Sequence, residues 1–309
     1  MSTELDDAIA REVAAVTPAV HETTLRPDTI GMLRRERLRF LGTRLVRSPT
    51  FLVGLAITLF WVVVAIAWPV LVPHDPFLTN SDESLLSPRA DHLFGTDQLG
   101  RDVLSRVFAG ATTVLSIAPL ATLLGLVGGV AVALVSGYYS GMVDNVIMRV
   151  VDAVMSFPAI IIVVLVVSLL GTSRLNLILV IGIFFTPLIA RTVRSAVLAE
   201  RERDYVAAAR LRRERGPYIM VREILPNVTG PIVVEGTIRL GYAVFAVGTL
   251  SFLGLGLQQP SPDWGLTVAL QRSFVQTAPW TILFPALALA SLIVGVNLAA
   301  DGLRKALSE

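Results

Sequence analysis

The sequence predicts an all-α polytopic membrane protein with six transmembrane helices. Apolar residues make up 54% of the 309-residue chain and charged residues only 16%, with a mean hydropathy of +0.69. An ordinary soluble domain carries about 25% charged residues. Long stretches lack charge over the ~20 residues that a helix needs to cross the hydrocarbon core. Because backbone amides in lipid must be paired within their own segment, these stretches are predicted to be helices.

Six spans follow one another along the chain. The fifth span holds a charged pair in its interior, at Glu235 and Arg239, whereas the charges of the third and fourth spans lie near one end. The predicted spans are 51–72, 111–136, 146–170, 175–197, 228–253 and 278–300. The chain thereby divides into a tail with a basic juxtamembrane segment at 1–48, a first transmembrane helix at 49–72, an external loop at 73–110, and a five-helix core at 111–309 that includes an inner loop at 199–226.

Glycines and prolines inside the spans predict how the helices pack and bend. Gly125-x-x-x-Gly129 and Gly137-x-x-x-Gly141 favour close contact between helices. Three prolines are predicted to kink their spans, and they are Pro119, Pro158 and Pro187.

The basic residues predict the orientation. If the N-terminus is cytoplasmic, 20 lysines and arginines lie in inner segments and 5 in outer loops. This bias follows the positive-inside rule and places both termini in the cytoplasm of a multi-pass protein of the plasma (inner) membrane.

Composition excludes several classes of function. The absence of cysteine excludes disulfides, thiolate catalysis and cysteine-based zinc sites. The only lysine, Lys305, does not belong to a Gly-Lys-Ser/Thr triplet, so the chain is not a Walker-type ATPase. Because no Ser-His-Asp order or His-Glu-x-x-His motif is present, we expect no catalytic residue and no enzyme activity. A net charge of +2 gives no reason to expect nucleic-acid binding.

The external loop contains two histidines, His74 and His92, each near an aspartate. No His-x-x-x-His or similar spacing appears, so no metal site is predicted. Turn formation and helix capping explain these residues more simply, with Thr96 or Asp97 as the N-cap of a helix over 103–108.

The inner loop at 199–226 is far longer than a turn between two spans requires. Its alanines at 207–209 predict a short helix with a surface that permits close approach, which Gly216-Pro217 ends or bends. Such a helix is suited to docking into a groove on another protein. The alternative is a basic, solvated loop that only obeys the positive-inside rule.

Motifs between about Pro49 and the C-terminus support the docking interpretation. They are Phe94-Gly95-Thr96-Asp97, Gly100-Arg101-Asp102, Ala207-Ala208-Ala209, Ile224-Leu225-Pro226-Asn227, Leu250-Ser251-Phe252-Leu253-Gly254, Asp263-Trp264-Gly265 and Pro279-Trp280. In these segments the chain resembles the permease subunit of ATP-binding-cassette (ABC) importers of the dipeptide/oligopeptide/nickel class, and the C type of its two permeases.

The resemblance implies a type I ABC importer permease fold and a set of partners. These are a second permease in a heterodimer, two cytosolic ATPase domains and an external solute-binding protein. ATP and magnesium would be bound by the ATPase domains, so no cofactor is expected in this chain. The chain would form half of the membrane pathway for a peptide substrate, surrounded by membrane lipid.

The resemblance also implies a coupling helix at about 204–215, which carries the motion of the ATPase domains into the bundle. The implied coupling residues are Asp204, Tyr205, Ala207, Ala208, Ala209, Arg210, Arg213 and Gly216, with Tyr205, Ala208, Ala209 and Arg210 in direct contact with the ATPase. The family has glutamate at the position of Ala207 and glycine at that of Arg213. We expect Gly216 to provide the bend in place of Arg213.

Two questions remain open at this stage. Glu235 and Arg239 are predicted to form an i,i+4 pair that faces either the second permease or the solute. The alternative function is a stand-alone secondary transporter or channel, although the expected inverted repeats and intramembrane acidic residues, apart from Glu235, are not found. Dipeptides, longer peptides and nickel complexes all remain possible solutes.

Overall fold

The computed structural model describes Gly42 and residues 44–308. In this part of the chain the structure is helical, and Thr96 and Asp102 form an isolated β-bridge. The helices are α1 (Pro49–Leu71), α2 (Val103–Tyr139), α3 (Gly141–Met155), α4 (Ala159–Leu170), α5 (Arg174–Arg201), α6 (Asp204–Leu211), α7 (Thr229–Phe252), α8 (Trp264–Gln271) and α9 (Trp280–Ser308). The prediction for the tail at 1–41 lies outside the described residues.

Five of the six predicted spans are confirmed as single long helices, namely α1, α2, α5, α7 and α9. The third prediction, one continuous helix over 146–170, is wrong. The chain breaks after Met155, and α3 and α4 are bent by 83° relative to each other. Pro158 explains the break, because proline lacks an N–H and disfavours helical geometry at the residue before it. The pair amounts to a sixth span only if both halves are counted as one.

The predicted helix over 103–108 is confirmed, but it is the first part of α2, so residues 103–110 belong to that long helix and not to the external loop. Its N-cap is Asp102, whose Oδ2 accepts hydrogen bonds from the backbone N and the Oγ of Ser105 at 2.8 and 2.7 Å. The predicted caps, Thr96 and Asp97, instead hold the preceding loop. Asp97 Oδ1 accepts from the backbone N of Leu99, and Thr96 Oγ1 accepts from the backbone N of Leu86.

Glycines bring α2 and α5 into close contact, as predicted. A Cβ added at Gly125 would lie 2.7 Å from Phe185 Cβ, and one at Gly129 would lie 2.6 Å from Ile189 Cβ. Gly137 approaches Val197 in the same way, at 2.6 Å. Gly141 does not share this role. It has open space around it and a φ of +59°, so it serves the turn between α2 and α3.

A buried ionic cluster joins the loops at the opposite end of the bundle from α6. Arg101 Nε donates to Asp97 Oδ2 at 2.7 Å, and Arg106 Nε lies 3.7 Å from the same oxygen. Arg106 also donates to the carbonyl oxygens of Pro76 and Ser261, at 3.0 and 3.1 Å. All three charged side chains are nearly inaccessible to solvent. The cluster therefore ties the loop before α2 to the loop after α7.

The Asp-Trp-Gly motif at 263–265 completes this end of the bundle. Asp263 caps α8 by accepting a hydrogen bond from Leu266 N at 3.0 Å. Trp264 is 1% exposed, donates to the carbonyl oxygen of Val107 at 2.8 Å, and packs edge-on against Trp61. Burial raises the pKa of the Asp263 carboxyl from 3.8 to about 6.

We predict that Gly129→Ala lowers the melting temperature of the purified protein. The new methyl group meets Ile189, a fully buried side chain, and the carbonyl oxygen of Thr186 at 3.0 Å. Overpacking of this kind costs about 1–3 kcal/mol. The matched control is Gly230→Ala, because a Cβ at Gly230 meets nothing within 4 Å. Equal melting temperatures for the two variants would contradict this account of the α2–α5 contact.

We predict that Asp263→Asn changes how stability depends on pH. Asparagine also caps helices, so the substitution removes the charge and keeps the cap. In the wild type the folded-state pKa is raised, so stability is greatest below pH 3.8 and falls as the pH rises to about 6. Relative to wild type, the free energy of unfolding of the variant should be higher by up to about 3 kcal/mol above pH 6 and unchanged near pH 4. Melting temperatures at pH 4 and pH 7 test this, and a pH-independent difference would refute it.

Candidate functional site

The short helix α6 is anchored to the rest of the chain by one face. Val206 and Ala209 are completely buried and belong to the same apolar cluster as Ile219 and Ile224. The helix follows α5 after a two-residue turn, and Asp204 lies in its first turn, where a negative charge is favourable. It ends at Leu211, earlier than the predicted 215.

The segment between α6 and α7 contains a π-helix. Helical turns at Gly216–Tyr218 and Leu225–Asn227 flank a π-helical stretch at Ile219–Ile224. Pro226 has no N–H to donate, which interrupts the normal ladder next to this stretch. Short π-helical stretches inside α-helices occur frequently at functional sites.

Tyr205 links α6 to the elements on both sides. Its Oη donates to Glu200 Oε1 at 3.1 Å and accepts from Asn227 Nδ2 at 3.2 Å. Asn227 Nδ2 also donates to the carbonyl oxygen of Glu223 at 2.8 Å. Burial is the main cause that raises the pKa of Tyr205 to about 12. Tyr205 therefore fixes α6 to neighbouring parts of the same chain, and the Ile-Leu-Pro-Asn motif supplies Asn227 as one of its two hydrogen-bond partners.

The exposed face of α6 differs from the predicted contact set. Asp204, Ala207, Arg210 and Leu211 are exposed and Ala208 is half-buried. Ala209, predicted to contact the ATPase, lies instead inside the core of its own chain. Leu211, which the sequence analysis did not single out, is 85% exposed and forms a small apolar patch with the alanines.

The C-terminal end of α2 supports the exposed face of α6. The guanidinium of Arg210 lies 5.5 Å from the centre of the Tyr138 ring. A Cβ added at Gly216 would lie 3.0 Å from both Tyr138 and Tyr139. Glycine at position 216 therefore allows the chain after α6 to pass close to α2.

The turn after α6 is made at Arg213, and the prediction that Gly216 provides the bend is wrong. Arg213 has a φ of +58°, a left-handed conformation that favours glycine. Its backbone N donates to the Arg210 carbonyl at 2.9 Å, and Glu214 N donates to the Ala209 carbonyl at 3.2 Å. These are the two bonds of a Schellman motif. Arg212 Nε donates to Glu214 Oε1 at 2.8 Å, a bond that raises the pKa of Arg212 and holds the turn.

The predicted intramembrane pair is formed within α7. Arg239 Nε donates to Glu235 Oε1 at 2.7 Å, and Glu235 is only 5% exposed. The guanidinium lies 6.0 Å from the ring centre of Phe185 and 5.7 Å from that of Tyr242. The carboxylate of Glu235 and the two aromatic rings stabilise the Arg239 guanidinium, which has lost most of its contact with water.

Arg239 borders a cavity of about 290 Å³ between α4, α5 and α7. The lining includes Phe184 of α5 and Phe245 of α7, and Arg239 is the only charged residue among the described residues that line it. Tyr242 and Phe245 are each 56% exposed, so this face of α7 presents aromatic surface beside a single cation.

Two family models match the chain. Residues 125–309 match the binding-protein-dependent transport system inner membrane component, and residues 40–88 match the N-terminal transmembrane domain of oligopeptide transport permease C. The first match covers α6, the π-helical segment and α7.

Named relatives cover most of the chain. A dipeptide transport system permease protein of Alkalihalophilus pseudofirmus is 37% identical over 264 residues, which is 85% of this chain and 87% of that protein. A glutathione transport system permease protein of Pectobacterium atrosepticum is 34% identical over 298 residues, which is 96% of both proteins. Among solved structures, the inward-facing methionine ABC transporter MetNI shares the fold, with a TM-score of 0.54, 20% identity, and coverage of 67% of this chain and 97% of that chain.

We predict that Arg213→Gly raises the melting temperature of the protein. Glycine removes the steric cost of a left-handed residue, which is about 1 kcal/mol. The matched control is Arg215→Gly, which removes the same charge at a φ of −70° and should not stabilise. If both variants shift the melting temperature equally, the effect comes from charge and not from backbone geometry.

Proposed function

Since the chain belongs to the family of binding-protein-dependent transport system inner membrane components, we propose that it forms half of the membrane pathway of an ATP-driven peptide importer. The observation that carries this proposal is the geometry of α6. One face is fixed to the bundle and the other presents alanines and Leu211 for a partner. The dipeptide and glutathione permeases named among the relatives support a short peptide as the solute.

The proposal assigns the end of the bundle that carries α6 to the cytoplasm, together with both termini. Twenty basic residues lie on this side under the proposed orientation. ATP and magnesium bind to separate ATPase subunits beneath α6, which agrees with a chain whose only lysine is Lys305. The solute arrives from an external binding protein at the opposite end.

Coupling follows from how α6 is held. ATP binding favours one arrangement of the ATPase subunits, and a rigid docked element carries that preference into the bundle. Tyr205 connects α6 to Glu200 at the end of α5 and to Asn227 just before α7. A displacement of α6 therefore moves the ends of two spans together and does not bend a free loop.

A second, different permease covers the exposed aromatic face of α7 in this proposal. Tyr242 and Phe245 are large and exposed beside the cavity that Arg239 borders. The Glu235–Arg239 pair is then close to the surface between the two permeases, where the solute pathway of such a heterodimer runs. The pair supplies a polar position on an otherwise apolar wall.

The test is reconstitution of the complete importer in liposomes, with ATP inside and a labelled dipeptide outside with its binding protein. We predict that Leu211→Asp lowers ATP-driven uptake and dipeptide-stimulated ATP hydrolysis at least about tenfold, because a charge on a docking surface opposes binding. Leu211 is 85% exposed, so the protein should fold as before.

The matched control is Leu78→Asp, which places the same charge on a 66% exposed leucine at the opposite end of the bundle. This variant should still co-purify with the ATPase subunits. Unchanged uptake by Leu211→Asp would refute the role of α6. Uptake by the isolated chain without ATPase subunits would refute an ATP-driven importer and favour a stand-alone transporter.

A further inference from the structure

The loop before α2 brings together two histidines and an aspartate that are far apart in the sequence. One ligand atom from each of His74, His92 and Asp102 lies within 4.8 Å of the other two. His92 Nδ1 is 2.9 Å from Asp102 Oδ1, and His74 Nδ1 is 3.9 Å from the same oxygen. We propose that these three side chains bind a divalent transition metal, with Zn²⁺ as the preferred ion.

The ligand atoms are held in place by the surrounding structure. Oδ2 of Asp102 is fixed by its two hydrogen bonds to Ser105, which leaves Oδ1 directed at the histidines. The His92 side chain is only 6% exposed, and its Nε2 lies 3.5 Å from Glu83 Oε2. A carboxylate on the second ring nitrogen is the usual outer partner of a metal-binding histidine, since it orients the ring and fixes its tautomer.

The chemistry of the three ligands selects the ion. Two imidazoles and one carboxylate suit zinc, whereas magnesium and calcium prefer oxygen ligands alone. The His74 side chain is 42% exposed, which provides access for the ion and freedom to move inward. Zinc–ligand bonds are about 2.0–2.2 Å long, which places tetrahedral ligand atoms about 3.4 Å apart. His74 must therefore move inward, whereas His92 Nδ1 and Asp102 Oδ1, now 2.9 Å apart, must separate slightly as the ion takes the place of the hydrogen between them.

A metal at this position clamps two spans together. His74 follows the end of α1, and Asp102 is the N-cap of α2. The backbone N of His74 already donates to Ser105 Oγ at 3.3 Å, so the two helix ends are adjacent without the ion. The site depends only on these residues and not on the proposed transport function.

The test uses the full chain, purified in detergent without a polyhistidine tag, stripped with a chelator and titrated with Zn²⁺ by calorimetry. We predict one ion per chain, with a dissociation constant of 10 µM or tighter as an order-of-magnitude expectation from a three-ligand site, and a higher melting temperature with Zn²⁺ but not with Mg²⁺. His74→Ala should weaken binding at least about tenfold while leaving the metal-free melting temperature nearly unchanged, because the His74 side chain is 42% exposed and not part of the core.

Two further variants complete the test. Glu83→Gln should weaken binding by about 10- to 100-fold through the orientation of His92. His21→Ala, which changes the remaining histidine of the chain, should leave binding unchanged. Absence of saturable binding, or equal binding by wild type and His74→Ala, would overturn the proposal.

Discussion

The contact between α2 and α5 is the constraint on which the rest of the fold depends. Helices in a bilayer gain little from excluding water, so they associate through close packing of small residues. Gly125, Gly129 and Gly137 allow the backbones to meet where any side chain would collide. This contact fixes the C-terminal ends of both helices, where Tyr138 and Glu200 hold α6. Helix α2 is capped at its other end by Asp102, so the position of the loop before α2 also follows from the contact.

Two groups of buried charges, one in the loops and one within α7, serve different purposes. At the end of the bundle opposite α6, Asp97 is surrounded by Arg101 and Arg106, and this cluster fastens loops together. Within α7, Glu235 and Arg239 make a single pair beside a cavity. A buried pair adds little net stability against an apolar replacement, so stability alone does not explain it. The cluster at Asp97 also donates to two loop carbonyls, whereas Arg239 contacts the ring of Phe185 in α5 and borders the cavity.

The features that the sequence predicts correctly are those set by local composition and spacing. The length of the apolar stretches locates five spans, and the i,i+4 rule finds the Glu235–Arg239 pair. The features it misses depend on the fold. The break at Pro158 separates α3, which carries Asp144, Arg149 and Asp152, from the uncharged α4. The left-handed Arg213 contradicts the preference of its residue type. Whether Ala209 or Leu211 faces outward depends on which side of α6 packs against Ile219 and Ile224, and only the tertiary structure decides that.

The π-helical stretch before α7 departs from the hydrogen-bond pattern of an α-helix. Ile219 and Ile224 are five residues apart and both completely buried. In a π-helix residues five apart lie on the same face, whereas in an α-helix they would be separated by about 140° around the axis. The wider π-helical turn therefore helps to set how far α7 is rotated about its own axis relative to the segment before it. This rotation decides toward which side of the bundle Glu235 and Arg239 point.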